Sequence, residues 1–169
     1  GTGLDTGRDY PQVIGDMHAD LEGRVARISS WPISPLWYPY LNNPTAQDGA
    51  ADRNFGHGTH VGGIIASDGK SSGGKYMGVA PDANLISVKV ADEQGVAYIS
   101  DVIDGLQWVF LNRAAYNIRV VNLSLISTVP ESYLTSPLAA AVERLWLGGI
   151  VVVAAAGNNG ADSALYGPA

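Results

Sequence analysis

The stretch Gly56-His57-Gly58-Thr59-His60-Val61-Gly62-Gly63 sets a histidine among glycines at the point where a helical pattern begins. Glycine on both sides lets the backbone turn tightly and keeps the imidazole open to solvent. An imidazole exchanges protons near neutral pH, with an ordinary pKa of about 6.5, so His57 in that setting suits a general base. Val61, Ile64 and Ile65 follow at helical spacing and predict a helix that buries one apolar face with His57 at its mouth. Taken alone, the stretch also fits a capped helix start with an incidental histidine. Two further groups complete a possible chemistry. Asp5 lies in Asp5-Thr6-Gly7 at the carboxyl end of an expected first strand, and Asn158 lies in Ala154-Ala155-Ala156-Gly157-Asn158-Asn159-Gly160 after the third buried strand. An acid, an imidazole and an amide donor are the set that orients a base, holds one tautomer and stabilises an oxyanion.

Such groups need elements to hold them. Leu85–Val90, Val120–Leu125 and Ile150–Ala154 are short, continuously apolar and β-branched, as strands covered on both faces should be. Between them, Ile99, Val102, Ile103, Leu106, Val109 and Phe110 form one helical stripe. Leu134, Leu138, Ala141, Val142 and Leu145 form another, closed by Gly148-Gly149 as a C-cap. Alternating strands and helices predict an α/β fold: a doubly wound, mainly parallel sheet with helices on both faces. Sites in such sheets form at the carboxyl ends of the strands, where Asp5 and Asn158 are expected. Val25 to Ile28 reads as a further strand. Residues 31–44 read as a surface loop packed by its own aromatics, and Asp68 to Lys75 as a second, flexible loop rich in glycine and serine.

Composition narrows the class. With 169 residues, 46% hydrophobic and 15% charged, the chain is globular and of one-domain size. A net charge of −6 without a Lys/Arg run argues against nucleic acid. No apolar run is long enough to cross a bilayer, so no membrane role is expected. The absence of cysteine removes disulfides, thiolate nucleophiles and Cys-based zinc sites, without fixing a compartment. Both ends read as cut: Gly1-Thr2-Gly3-Leu4 resembles the tail of a strand, and the chain stops after a Tyr-Gly-Pro turn. The expectation is therefore one incomplete domain over residues 1–169.

The order Asp5-Thr6-Gly7, His57-Gly58-Thr59-His60, Ala156-Gly157-Asn158 resembles the subtilisin-like serine proteases. His18-Ala19-Asp20-Leu21, Gly78-Val79-Ala80-Pro81 and Asn122-Leu123-Ser124-Leu125 add to the resemblance, which runs nearly end to end. It implies Asp5 as the carboxylate that orients the imidazole, His57 as general base and Asn158 as the oxyanion-hole donor; His60 is structural. It implies a polypeptide substrate lying as an added strand between Gly95-Val96-Ala97 and Ser124-Leu125-Ile126, beside a wall that includes Ala155 and Gly157. The apolar wall predicts hydrophobic side chains at the cleaved position. Ile126 and Ala97 stand where the family usually has glycine. No Gly-Thr-Ser, the family's nucleophile motif, occurs in these residues. The chain alone is therefore expected to be inactive.

The resemblance further implies secretion and an inhibitory propeptide as a second partner. It requires no cofactor. Some members bind calcium through the aspartate matched by Asp20 and the loop after the His57 helix, but Asp68 to Lys75 is poor in carboxylates and shows no readable site. A non-catalytic relative that binds peptides or a propeptide fits the same residues. Three other classes fit less. A pepsin-like aspartic protease shares Asp5-Thr6-Gly7 but needs a second carboxylate loop and an all-β pattern. A dinucleotide site would need a different spacing from Gly1 and Gly3 to Gly7. A zinc hydrolase using His57, His60 and Asp5 lacks a placed general base.

Overall fold

In a computed structural model, the described residues are 19–21, 25–28, 57–88, 90, 91, 97–128 and 130–158. Asp5, the segment before it, most of residues 22–56, and Gly95 and Val96 lie outside them. The chain forms two compact units, Gly1–Ala97 and Tyr98–Ala169.

In the first unit, strand β1 (Val25–Ile28) pairs in parallel with β2 (Leu85–Val88), with Val25 opposite Leu85 and Ile28 opposite Val88. Parallel strands need a crossover between them, and helix α1 (His57–Ala66) lies within it. The buried faces differ from the predicted stripe. Gly62 and Ala66 are the buried positions of α1, Ile65 packs beside Leu21 and Ala66, and Ile64 is 56% exposed. The reason is close backbone approach. A Cβ on Gly78 would sit 2.6 Å from the Ala66 nitrogen and 2.8 Å from the Gly63 carbonyl oxygen, so only small residues fit on that side of the helix. The chain from Gly78 to Ala80 then serves the helix end: Val79 N–H donates to Ile64 O at 3.0 Å and Ala80 N–H to Ile65 O at 2.8 Å. These are carbonyls that a helix cannot satisfy by itself.

In the second unit, helix α2 (Ile99–Asn112) leads to β3 (Val120–Leu123), then α3 (Pro137–Leu147) and β4 (Val151–Ala154). β3 and β4 pair in parallel, Val120 opposite Val151 and Leu123 opposite Ala154. Helices α2 and α3 pack together, and α3 packs on β4. The core holds Val102, Leu106, Trp108 and Val109 of α2, Leu123 of β3, and Leu138, Leu145 and Ile150 around α3. Strand β3 stops two residues short of its predicted run, leaving Ser124 and Leu125 beyond the sheet. Val120, Val151 and Val153 are each about half exposed.

Helix α3 starts later than its apolar stripe. Ser136 caps it, accepting from Ala139 N–H at 3.2 Å, and Pro137 pre-sets the first turn. Leu134 therefore falls in the preceding turn, held by Thr135 and Ser136 N–H groups on Ser132 O, and faces solvent. At the other end, Gly148 N–H bonds Arg144 O and Gly149 takes φ +83, as the glycine pair predicts. Gly148 also packs closely on Phe110: a Cβ there would lie 2.7 Å from the ring unless the ring shifted. That ring is covered by the guanidiniums of Arg113 and Arg144, 4.0 and 4.7 Å from its centre.

Asp101, in the first turn of α2, is buried. Desolvation raises its pKa above the ordinary 3.8, against the lowering hydrogen bond from Ser100 and with further raising by Asp104. The folded chain thus holds the Asp101 proton more tightly than the unfolded chain. Stability falls as pH climbs from 3.8 through the raised value and stays lower above it. Asp101→Asn should be more stable than the wild type at neutral pH, with the advantage gone below pH 3.8. Thermal unfolding midpoints across that range check this; an advantage independent of pH would contradict it.

Candidate active site

His57 is the first residue of α1 and is exposed, an accessible imidazole on a fixed element, as its glycine setting predicts. The last turn of that helix is held by the Gly78–Ala80 backbone, and the loop between them is built around one buried carboxylate. Asp20 is 6% exposed. Its Oδ2 accepts from Ser67 Oγ at 3.0 Å, its Oδ1 accepts from Ser71 N–H, and its carbonyl accepts from Asp68 N–H at 3.1 Å. Ser67 Oγ also lies 3.1 Å from Tyr76 O and accepts from Gly69 N–H at 3.1 Å. A hydroxyl has one proton, and the charged Asp20 is the stronger acceptor for it. Gly69 and Gly73, at φ +71 and +63, bracket the short 3-10 turn Lys70–Ser72 inside this loop. Residues 68–75 are therefore tied down rather than loose. The sequence marks Asp20 but not Ser67 or Ser71, because partners 47 and 51 residues apart leave no spacing pattern.

The same donors decide how the loop treats a cation. Calcium takes about six to eight oxygen ligands. Around Asp20 stand an O–H and N–H groups, and Asp68 Oδ1 likewise accepts from Lys70 N–H at 2.9 Å. Among the described residues no group of three or more His, Cys, Asp or Glu can hold a metal ion.

In the second unit, Ser124, Leu125 and Ile126 follow β3 and are half-buried, while Ala155, Ala156, Gly157 and Asn158 follow β4. Ala155 N–H donates to Leu123 O at 3.1 Å, which keeps the two segments side by side as they leave the sheet. Asn122 Nδ2 donates to Ser124 Oγ at 2.8 Å. Gly157 is at φ +89, a conformation that favours glycine, and Asn158 after it is exposed. Ile126 of the predicted substrate-flanking segment and the wall residues Ala155 and Gly157 thus belong to one pair of strand ends. Ala97 is half-buried in the first unit. Asp5, Gly95 and Val96 lie outside the described residues.

A sequence model described as the Subtilase family matches residues 4–169. The chain belongs to the subtilase family. This subtilase chain is 39% identical over 155 residues to serine protease AprX of Bacillus subtilis, covering 86% of the chain and 31% of that protein. It is 42% identical over 123 residues to subtilisin BL of Lederbergia lenta, covering 73% and 40%. Among solved structures, a cold-adapted subtilisin-like serine proteinase superposes with a TM-score of 0.65 at 26% identity, over 99% of the chain and 48% of that protein. Sphericase gives 0.56 at 35% identity, over 66% and 34%. The fold is thus the subtilisin-like α/β fold, and the subtilase chain spans less than half the length of each of these proteins.

Removing the Asp20 carboxylate leaves the Ser67 and Ser71 donors without their charged acceptor. Asp20→Ala should cost about 1–3 kcal/mol and speed hydrogen exchange across residues 67–78. Unchanged exchange there would show that the loop is held by other means.

Proposed function

We propose that the protein carrying this chain is a serine endopeptidase in which Asp5 orients His57 and the nucleophilic serine comes from residues outside these 169. The observation that carries the reading is the exposed His57 at the head of α1, in a chain matched to the subtilase family over residues 4–169. His57 takes the serine proton as the hydroxyl attacks the scissile carbonyl, and returns it to the leaving amine. The Asp5 carboxylate holds the imidazole in one tautomer and stabilises its charged form. The Asn158 side-chain amide donates to the oxyanion, from a position at the carboxyl end of β4 where the backbone leaves it exposed. The polypeptide lies as an extended strand between Gly95-Val96-Ala97 and Ser124-Leu125-Ile126, held by main-chain hydrogen bonds. An inhibitory propeptide would use the same positions.

This reading requires no cofactor; the Asp20 and Asp68 carboxylates accept protein N–H and O–H groups. An extracellular location is supported by the family resemblance. Among the described residues no helix is long and apolar enough to cross a membrane.

The full-length protein should hydrolyse casein and be silenced by a serine-directed sulfonyl fluoride. Asn158→Ala should lower kcat by about 10²–10³-fold with KM little changed, the magnitude known for loss of such a donor in subtilisin. An Asn158→Ala enzyme as fast as the wild type would remove this residue from the mechanism. Absence of any hydrolysis by the full-length protein would favour a peptide-binding relative instead. The 169-residue chain by itself should show no inhibitor-sensitive turnover, and measurable turnover would place the nucleophile inside these residues.

A further inference from the structure

At the amino ends of β3 and β4, the last turns of α2 and α3 meet over one aromatic ring. The Phe110 ring lies against Gly148, and the guanidiniums of Arg113 and Arg144 stand 4.0 and 4.7 Å from its centre. Those distances put the two cations no more than about 9 Å apart, inside the ~10 Å over which 0.1 M salt screens charge. They therefore repel each other, and neither meets a carboxylate among the described residues. Arg113 donates to Phe110 O, while the Arg144 guanidinium has only the ring. A guanidinium stacked by its face keeps the N–H donors along its edge for a planar acceptor.

The charge around this ring is one-sided. Residues 105–130 and 144–158 contain no Asp or Glu, in a chain that has 16 of them against 10 Lys and Arg. Arg119 adds a third, exposed cation at the start of β3, where its carbonyl takes Val151 N–H at 2.9 Å. Helix carboxyl ends favour a nearby cation, which accounts for one arginine on each helix. It does not account for the large apolar side chains left in water beside them. Trp146 is 63% exposed and Leu147 78% exposed, both in the last turn of α3 before Gly148. Tryptophan and arginine are the side chains that carry much of the energy at protein interfaces.

We propose that this end of the second unit is a docking surface for an acidic polypeptide segment, whose carboxylates bridge Arg113 and Arg144 while neighbouring apolar side chains cover Trp146 and Leu147. A carboxylate matches the guanidinium edge with two parallel N–H···O bonds, and one placed between the two cations removes their repulsion. A membrane or a nucleic acid presents negative charge over a wide area and meets the chain's net −6 as well as this patch. A short acidic peptide meets the patch alone. The surface lies at the amino ends of β3 and β4, whereas Asn158 follows the carboxyl end of β4, so the inference stands apart from the peptidase reading.

The test uses the full-length protein, treated with a sulfonyl fluoride so that no probe is cleaved. Fluorescence anisotropy follows a fluorescein-labelled peptide of alternating glutamate and leucine, its glutamine–leucine counterpart, and competition by phosphatidylserine vesicles. The glutamate peptide should bind saturably and at least about tenfold tighter than the glutamine one. Arg144→Ala and Trp146→Ala should each weaken it by about tenfold or more. Arg144→Lys should recover only part of the loss, because lysine has no paired N–H fork. Thermal unfolding midpoints identify folded variants, and Trp146→Ala carries the comparison if Arg144→Ala unfolds. Absence of binding, equal binding of the two peptides, or affinity unchanged in the folded variants overturns the proposal. Binding of the vesicles without binding of the glutamate peptide assigns the surface to an anionic membrane and overturns it as well.

Discussion

A helix end leaves carbonyls with nothing to bind, and here the chain solves that with its own backbone. Gly78 N–H bonds Ser67 O at 2.8 Å, and Val79 and Ala80 N–H groups take the Ile64 and Ile65 carbonyls. This works only if residue 78 has no side chain and if the helix offers Gly62 and Ala66 on its inner side. The constraint fixes the far end of the helix whose first residue is His57. It also explains why a larger apolar residue such as Ile64 turns outward instead of joining a conventional stripe.

The loop that returns the chain from Ala66 to Gly78 depends on the same economy of contacts. Its turns use glycine at Gly69 and Gly73 where φ is positive, and its polar groups converge on the Asp20 carboxylate. A buried charge is costly unless it is well bonded, and this one is met by a hydroxyl and a backbone N–H. The second unit relies instead on apolar packing between α2, α3 and the β3–β4 pair, with a serine cap at one end of α3 and a glycine pair at the other.

Much of this was legible in the sequence. The runs at Val120 and Val151, the stripe from Val102 to Val109 and the Gly148-Gly149 stop all follow from periodicity and backbone preference. So did His57 at a helix head. What escaped has physical reasons. Leu134 matched the helical period, but Ser136 and Pro137 make a better start than a leucine three residues earlier. The inner face of α1 could not be read from hydrophobicity, because it is decided by how closely a distant glycine approaches. Periodicity also carries no information on which neighbour covers an apolar run, and Val120, Val151 and Val153 are half exposed. The contact between Ile126 and Gly157 joins segments far apart in the chain, so only three-dimensional placement reveals it.

That contact also bears on how such a protein can change over generations. Ile126 sits on the rim of a firmly paired strand end, removed in sequence from the acid, the imidazole and the amide. Codons for valine and threonine lie one base away from isoleucine; both remove the Cδ1 carbon that faces Gly157, and threonine also puts a hydroxyl in place of a methyl. A single nucleotide step therefore changes the width or polarity of this contact while Asp5, His57 and Asn158 stay untouched.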